Sequence, residues 1–71
     1  MNSEQLQGTI AKYMKIRHIR TQAQLRQHTR VGSPNTFRKY LASPDLMPLG
    51  VFDEIMRALN VPEEERIELL K

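Results

Sequence analysis

Three polar side chains with complementary hydrogen-bonding chemistry lie close together at Asn35, Arg38 and Lys39. The amide of asparagine can form paired hydrogen bonds with adenine, and arginine or lysine can donate to guanine. At about 100° per residue, these three side chains share one face of a helix. The opposite face is apolar and comprises Phe37, Tyr40 and Leu41. The pattern predicts a helix that packs on one side and presents amide and cationic groups on the other.

The start of this helix is marked by Ser33 and Pro34. A serine hydroxyl can accept a hydrogen bond from an N–H group of the first turn, and proline suits the first helical position because its missing N–H costs nothing there. We therefore predict a helix over about residues 34–42. The following "SPDLMP", which contains two prolines, ends the helical pattern and predicts a loop.

A second short helix precedes this one. Thr21 followed by Gln24 is a capping-box pattern, and it predicts a helix over about residues 22–29 in which Leu25 and Ala23 are buried. Only "RVGS" then separates the two helices, a connection that suits short helices meeting at a steep angle. In a helix-turn-helix of this kind, the second helix enters the major groove of DNA and the first crosses the phosphate backbone.

Three further helices are predicted from apolar residues at helical spacing. The apolar positions are Leu6, Ile10, Tyr13 and Met14 in the first helix and Phe52, Ile55, Met56 and Leu59 in the fourth. The predicted segments are about residues 4–15, capped by Asn2 or Ser3, about residues 49–59, with Asn60 at a left-handed end, and a fifth helix opened by Pro62. No segment alternates with a period of two, so no sheet is expected. The predicted fold class is all-α, with five short helices in a single domain over residues 1–71.

Charge is distributed unevenly along the chain. Residues 12–41 contain eight cations and no Asp or Glu, whereas residues 45–71 contain seven acids and three cations, and the net charge of the whole chain is +3. Lysine and arginine on phosphates release condensed counterions, so the asymmetry indicates that a polyanion binds the first half. The alternative is a solvated cationic face that binds nothing.

The segment from Ile19 to Glu65, "IRTQAQLRQHTRVGSPNTFRKYLASPDLMPLGVFDEIMRALNVPEEE", resembles the helix-turn-helix domain of the phage Cro and lambda-repressor family. The similarity is greatest to small prophage-type regulators in which a "TF..YL..P" helix precedes "I..ALNVP". The resemblance implies a lambda-repressor-like DNA-binding fold, with the helix-turn-helix over about residues 21–42 and the recognition helix over about 34–42. It also implies that Val31 closes the turn and that Phe37 anchors the recognition helix.

Departures from the family pattern occur in the turn. Arg26 and Arg30 stand where the family usually has a small residue and a glycine, and Thr29 stands where a larger apolar residue is common. Gly32 lies in a turn that is one residue longer than usual.

The predicted DNA contacts divide into base contacts from the recognition helix and phosphate contacts from the second helix and its flanks. The full predicted set is Arg20, Thr21, Gln22, Arg26, Ser33, Asn35, Thr36, Arg38 and Lys39. The alternative for these residues is an ordinary exposed helix face or an N-terminal cap.

Catalysis and metal binding are not predicted. The serines all lie in capping or turn contexts without a nucleophile–base arrangement, the chain has no cysteine, and His18 and His28 have no further ligand at metal-binding spacing. No cofactor is implied. No apolar run approaches the roughly 20 residues of a membrane span, and the N-terminus lacks a signal-peptide pattern. We therefore expect a soluble, cytoplasmic protein without a membrane partner.

The sequence thus predicts a sequence-specific transcriptional regulator of the phage or mobile-element repressor type that binds double-stranded DNA. One helix-turn-helix contacts only a half-site, so a homodimer is expected at least on DNA. The predicted interface is formed by Val61, Ile67, Leu69 and Leu70, unless Ile67 and Leu70 close the core of the monomer. The alternative function is a protein-interaction module of the same fold, such as a phage-encoded inhibitor of a host protein or an antitoxin.

Overall fold

Five α-helices and no strand make up the computed structural model, which describes all residues from 1 to 71. The helices are α1 (Ser3–Ile16), α2 (Gln22–Arg26), α3 (Pro34–Ala42), α4 (Leu49–Leu59) and α5 (Glu63–Leu70), and a single 3₁₀ turn, Pro44–Leu46, lies between α3 and α4. The predicted all-α class with five short helices is confirmed. None of the helices combines the length and apolar character needed to cross a membrane.

The local signals in the sequence set most of the helix ends. The side chain of Asn2 accepts a hydrogen bond from the N–H of Gln5 at 3.1 Å, and Ser33 accepts from the N–H of Thr36 at 3.3 Å. At the end of α4, Asn60 adopts the predicted left-handed conformation with φ 51° and ψ 49°. The predicted bounds of α1, α3 and α4 are accordingly confirmed within a residue or so.

The predicted extent of α2 is wrong, because the helix ends at Arg26 rather than near Thr29. Beyond Gln27 the backbone bonds tighten to three residues apart, since the N–H of Thr29 donates to the carbonyl of Arg26 at 2.9 Å. The hydroxyl of Thr29 also donates to that carbonyl, at 2.8 Å, and accepts from the N–H of Val31 at 3.2 Å. A hydroxyl that competes for backbone groups in this way favours a turn over a helix. The connection to α3 is therefore residues 27–33, longer than the predicted "RVGS".

The core is formed by fourteen apolar side chains, and no polar or charged residue is buried. These are Leu6, Ile10, Tyr13, Leu25, Phe37, Leu41, Met47, Val51, Phe52, Ile55, Met56, Leu59, Val61 and Leu69. Burial of this apolar surface is the main force that holds the helices together. The apolar stripe of α4 is fully used, as predicted. Ala23, in contrast, is exposed, and its predicted burial is wrong. Leu25 alone anchors the short α2 in the core.

The start of α1 holds the end of α3. Ser3 Oγ donates to the carbonyls of Leu41 and Ala42 at 3.4 and 3.2 Å, and Gln7 Nε2 donates to the carbonyl of Leu41 at 3.2 Å. The last carbonyls of a helix have no partner within the helix, so these bonds satisfy groups that would otherwise need water. With Ser33 at its other end, α3 is capped at both termini by side chains.

Candidate nucleic-acid interface

The outward side of α3 carries Asn35, Arg38, Lys39 and Ala42, all exposed, which we call the α3 face. None of its three polar side chains makes a hydrogen bond or an ion pair within the protein. On the other side of the helix, Phe37 is 1% exposed. The structure thus confirms the predicted division of this helix into a packed side and a free polar side.

The N-terminus of α2 lies beside the middle of α3. Gln22 and Arg38 line two neighbouring grooves, one shared with α1 and the other shared with Arg26 and Pro34. The structure therefore brings the predicted contact residues Gln22 and Arg38 together, although they are 16 positions apart in the chain. Residues of both helices can reach the same stretch of a ligand.

Thr21 and Ser33 use their hydroxyl groups within the protein. Thr21 Oγ1 accepts from the N–H of Gln24 at 3.1 Å, while Gln24 Oε1 accepts from the N–H groups of Arg20 and Thr21 at 2.7 and 3.3 Å. This is the predicted capping box, and it is confirmed. Both hydroxyl oxygens act as caps, and Thr36 is half-buried in the first turn of α3. These three residues position the two helices.

Arg26 folds back over its own turn. Its Nη1 donates to the carbonyls of Gly32 and Val31 at 3.0 and 3.3 Å, and the residue is half-buried. A guanidinium used in this way braces the connection between α2 and α3 and has less freedom to contact phosphate. Among the nine predicted contact residues, Arg26 is the one whose charged group is already bound by the protein.

Arg30 ties the same connection to α4. Its N–H and its Nε both donate to Glu54 Oε1, at 3.0 and 3.2 Å. The guanidinium lies against Gly50, where an added Cβ would stand 2.8 Å from Nη2. Residues 27–33 are thus held in place by the hydrogen bonds of Arg26 to the carbonyls of Val31 and Gly32 and by those of Arg30 to Glu54.

The eight cations between residues 12 and 41 fall into two groups. Four are bound within the protein, namely Lys12 to Glu65 at 3.3 Å, Arg17 to the carbonyl of Leu59 at 2.8 Å, Arg26 to that of Gly32, and Arg30 to Glu54. The other four, Lys15, Arg20, Arg38 and Lys39, are exposed, and their side chains have no protein partner. The sequence could not separate these groups, because three of the four partners lie 24 to 53 residues away.

The grooves beside α2 and α3 differ in charge from the grooves beside α5. The grooves along α1, α2 and α3 are lined by Arg38, Arg26, Lys15 and Arg20 and include no Asp or Glu. The two grooves that involve α5 contain acids, which are Asp53, Glu63, Glu65 and Glu68. The charge asymmetry of the sequence is therefore also an asymmetry in space.

The corner between α1 and α2 has a feature that the sequence analysis missed. His18 has φ 60°, and the N–H of Ile19 donates to the carbonyl of Met14 at 2.9 Å, which closes the end of α1. Histidine is enriched among non-glycine residues in the left-handed region, so the residue type was a usable signal. Arg17 then fixes this corner to α4 by donating to the carbonyls of Leu59 and Asn60 at 2.8 and 3.1 Å.

Lys12 and Tyr13 link α1 to α5 on the side away from the α3 face. The hydrogen bond to Glu65, and then the negative charge of that carboxylate, raise the pKa of Lys12 above its ordinary value. Burial raises the pKa of the Tyr13 phenol, and Glu65 acts in the same direction. No group of three His, Asp or Glu side chains is arranged to hold a metal ion.

Comparison with protein-family models, with curated proteins and with solved structures found no match to this chain. The similarity to the Cro and lambda-repressor family remains an expectation from the sequence. The geometry described above is the basis for a function.

Proposed function

We propose that the protein is a sequence-specific DNA-binding regulator in which α3 enters the major groove. The α3 face supports this most directly, because it combines an amide and two unpaired cations on the free side of a helix capped at both ends. A major groove of about 12 Å admits an α-helix, and these side chains have the donors and acceptors that distinguish base pairs. A fixed helix also loses less conformational freedom on binding.

The surroundings of α3 fit a phosphate backbone. Gln22 lies next to Arg38, and the adjoining grooves contain cations without acids. With α2 and α3 acting as a helix-turn-helix, Arg20 and Gln22 would contact phosphates and Lys39 a phosphate or a base edge, while Thr21, Ser33, Thr36 and Arg26 hold the two helices in position. Regulation of the phage or mobile-element repressor type would then be steric, through occupation of an operator.

Selection of bound duplexes from a random library tests this proposal. Fluorescence anisotropy on the selected duplex should show log affinity falling linearly with log salt, with a slope of about −0.9 for each phosphate that a free cation contacts. Failure of the wild type to retain any duplex at low salt would refute the proposal.

Specificity should depend on the α3 face. Asn35→Ala and Arg38→Ala should each reduce the preference for the selected over a scrambled duplex by roughly 1–3 kcal/mol, because a base contact is lost. Arg57→Ala, which removes a 77% exposed cation of α4, is the matched control and should leave that preference unchanged. If all three variants kept the wild-type preference for the selected duplex, α3 would not be the recognition helix.

A second candidate function, as a protein-interaction module, is favoured by a different surface. Leu49, Ile67 and Leu70 are 72%, 50% and 50% exposed and line one groove between α4 and α5, and we call them the apolar patch. Exposed apolar side chains grouped in this way are typical of protein contacts. A protein inhibitor or antitoxin would use this patch for its target, whereas a DNA-binding regulator would use it for a second copy. If the protein bound no duplex but bound a protein through the apolar patch, the interaction-module function would be favoured.

A further inference from the structure

Lys15, His18 and Arg20 converge at the end of α1, and we call this group the basic corner. All three are exposed, and they line one groove together with Ala11, Met14 and Ile19. Lys15 and Arg20 belong to the unpaired cations, whereas the neighbouring Lys12 and Arg17 are bound by Glu65 and by backbone carbonyls. The corner therefore offers positive charge that nothing in the protein neutralises.

The backbone of the corner is fixed on both sides. Between Lys15 and His18, Arg17 donates to the carbonyls of Leu59 and Asn60, and at the far end the N–H of Arg20 donates to Gln24 Oε1 at 2.7 Å. The left-handed residue His18 reverses the chain between these two anchors. The three side chains consequently start from defined positions on a supported turn.

The groove of the basic corner adjoins the groove that reaches the α3 face. Ala11 and Met14 line the groove of the corner and also the groove that reaches Gln22 and Arg38. The two grooves are thus neighbours along α1, and neither includes an acid. Cations lie at the far ends of these two adjoining grooves, and the small or apolar side chains of Ala11 and Met14 lie between them.

We propose that the basic corner binds the phosphates of the DNA strand that flanks the bases contacted by α3, with the strand following the groove along α1. This inference rests on the proposed function and extends its contact surface to Lys15 and His18, which the sequence analysis did not include. Phosphate contacts fix the register of a protein on a duplex and carry no direct sequence information. The basic corner would therefore add affinity for duplexes of any sequence.

The test compares two double variants of the full chain on the selected duplex. In Lys15→Ala/Arg20→Ala the magnitude of the salt slope should fall by roughly 1.8, because two phosphate contacts of about 0.9 each are lost. The ratio of affinities for selected and scrambled duplexes should stay at the wild-type value. Arg57→Ala/Lys71→Ala removes two exposed cations from the acidic half and should leave the slope unchanged. Thermal unfolding followed by circular dichroism verifies that both variants fold.

Duplex length identifies the position of the contact. When the selected duplex is trimmed stepwise from its ends, the wild type should lose affinity once the flank is removed. The Lys15→Ala/Arg20→Ala variant already lacks the flank contacts, so trimming should reduce its affinity little further. The inference would be overturned if the variant kept the wild-type salt slope. It would also be overturned if trimming reduced the affinity of the variant as much as that of the wild type at every duplex length. Failure of the wild type to bind any duplex would overturn the proposed function as well. Retained α3-dependent specificity with an unaffected slope would overturn the basic corner alone.

Discussion

The guanidinium of Arg26 bridges the two ends of the connection between α2 and α3. Two hydrogen bonds to the carbonyls of Val31 and Gly32 keep residues 27–33 closed. A residue chosen from the sequence as a phosphate contact is thus one that shapes the site.

Replacement of Arg26 separates these two roles. Arg26→Ala should lower the free energy of unfolding by about 1 kcal/mol, because hydrogen bonds of this kind contribute roughly that much. Arg38→Ala removes a side chain without partners and should leave stability unchanged within about 0.5 kcal/mol. Urea denaturation of the two variants makes the comparison. If Arg26→Ala is as stable as the wild type while its affinity falls for every duplex, Arg26 is a phosphate contact and not a brace.

Lys12 and Tyr13 make the stability of the folded protein depend on pH in the alkaline range. The folded-state pKa of each is raised, so the folded state holds both protons more tightly than the unfolded state does. The stabilisation is complete below the ordinary tyrosine value of 10.0 and is lost as pH rises through the folded values. Tyr13→Phe removes one of the two groups and should flatten this loss. Urea unfolding across alkaline pH measures it, and identical pH profiles for the two proteins would contradict the expectation.

At the scale of the elements, the recognition helix proposed here depends on α1 for its support. Gly8 lies within α1, is exposed, and has no atom within 4 Å of where a Cβ would stand. Glycine in a helix costs about 1 kcal/mol relative to alanine.

Gly8→Ala should therefore raise the free energy of unfolding by up to about 1 kcal/mol without changing DNA affinity. Gly50→Ala in α4 is a useful comparison, because its methyl group must displace the guanidinium of Arg30 from Glu54 and the gain should be smaller. Thermal unfolding of both variants gives the difference. A greater gain at Gly50 than at Gly8 would contradict this account.

The sequence predicted those elements whose ends depend on neighbouring residues. The caps at Asn2, Ser33 and Asn60 act within a few positions, so they could be identified without a structure. The end of α2 could not be predicted in this way. It is set by the hydrogen bonds of Thr29 and Arg26 within the turn, and the turn is also held by Glu54, which lies 24 residues from Arg30 in the chain. The α3 face was predictable from helical period, whereas the basic corner was not, since the bonds that anchor it reach from Arg17 to the end of α4.

At the scale of the whole molecule, size limits what one copy can do on DNA. The protein measures 29 × 26 × 19 Å, which is less than the roughly 34 Å between successive major-groove faces on one side of the duplex. One copy therefore covers a single major-groove face, and two copies are needed to cover two successive faces. The apolar patch is the surface we propose for their contact, because Val61 and Leu69 of the predicted interface are buried in the core. Ile67 and Leu70 are half-exposed, so the alternative that they close the core is wrong.

Ile67→Ser/Leu70→Ser should leave the fold intact and abolish cooperative binding to a palindromic duplex, because the contact between copies is lost. Leu46→Ser is the control, since Leu46 is 54% exposed and lies outside the apolar patch. Sedimentation of the wild type with the duplex should give two copies per duplex, and the double variant should give mostly one. A wild-type complex with one copy per duplex would end the dimer proposal.

The bonds from α1 to the ends of α3 and α4 also determine the order in which parts of the fold can be fixed during synthesis. Ser3, Gln7 and Arg17 are synthesised first, but the carbonyls they hold belong to residues 41, 42, 59 and 60. Contacts this distant along a chain form only after the intervening loop closes, which slows folding relative to local helix formation. A nascent chain that has emerged only through α3 already contains both partners of the Ser3 and Gln7 bonds but lacks the carbonyls of residues 59 and 60 that Arg17 holds. The corner between α1 and α2 is therefore fixed only after α4 has been synthesised, whereas the end of α3 can be capped earlier.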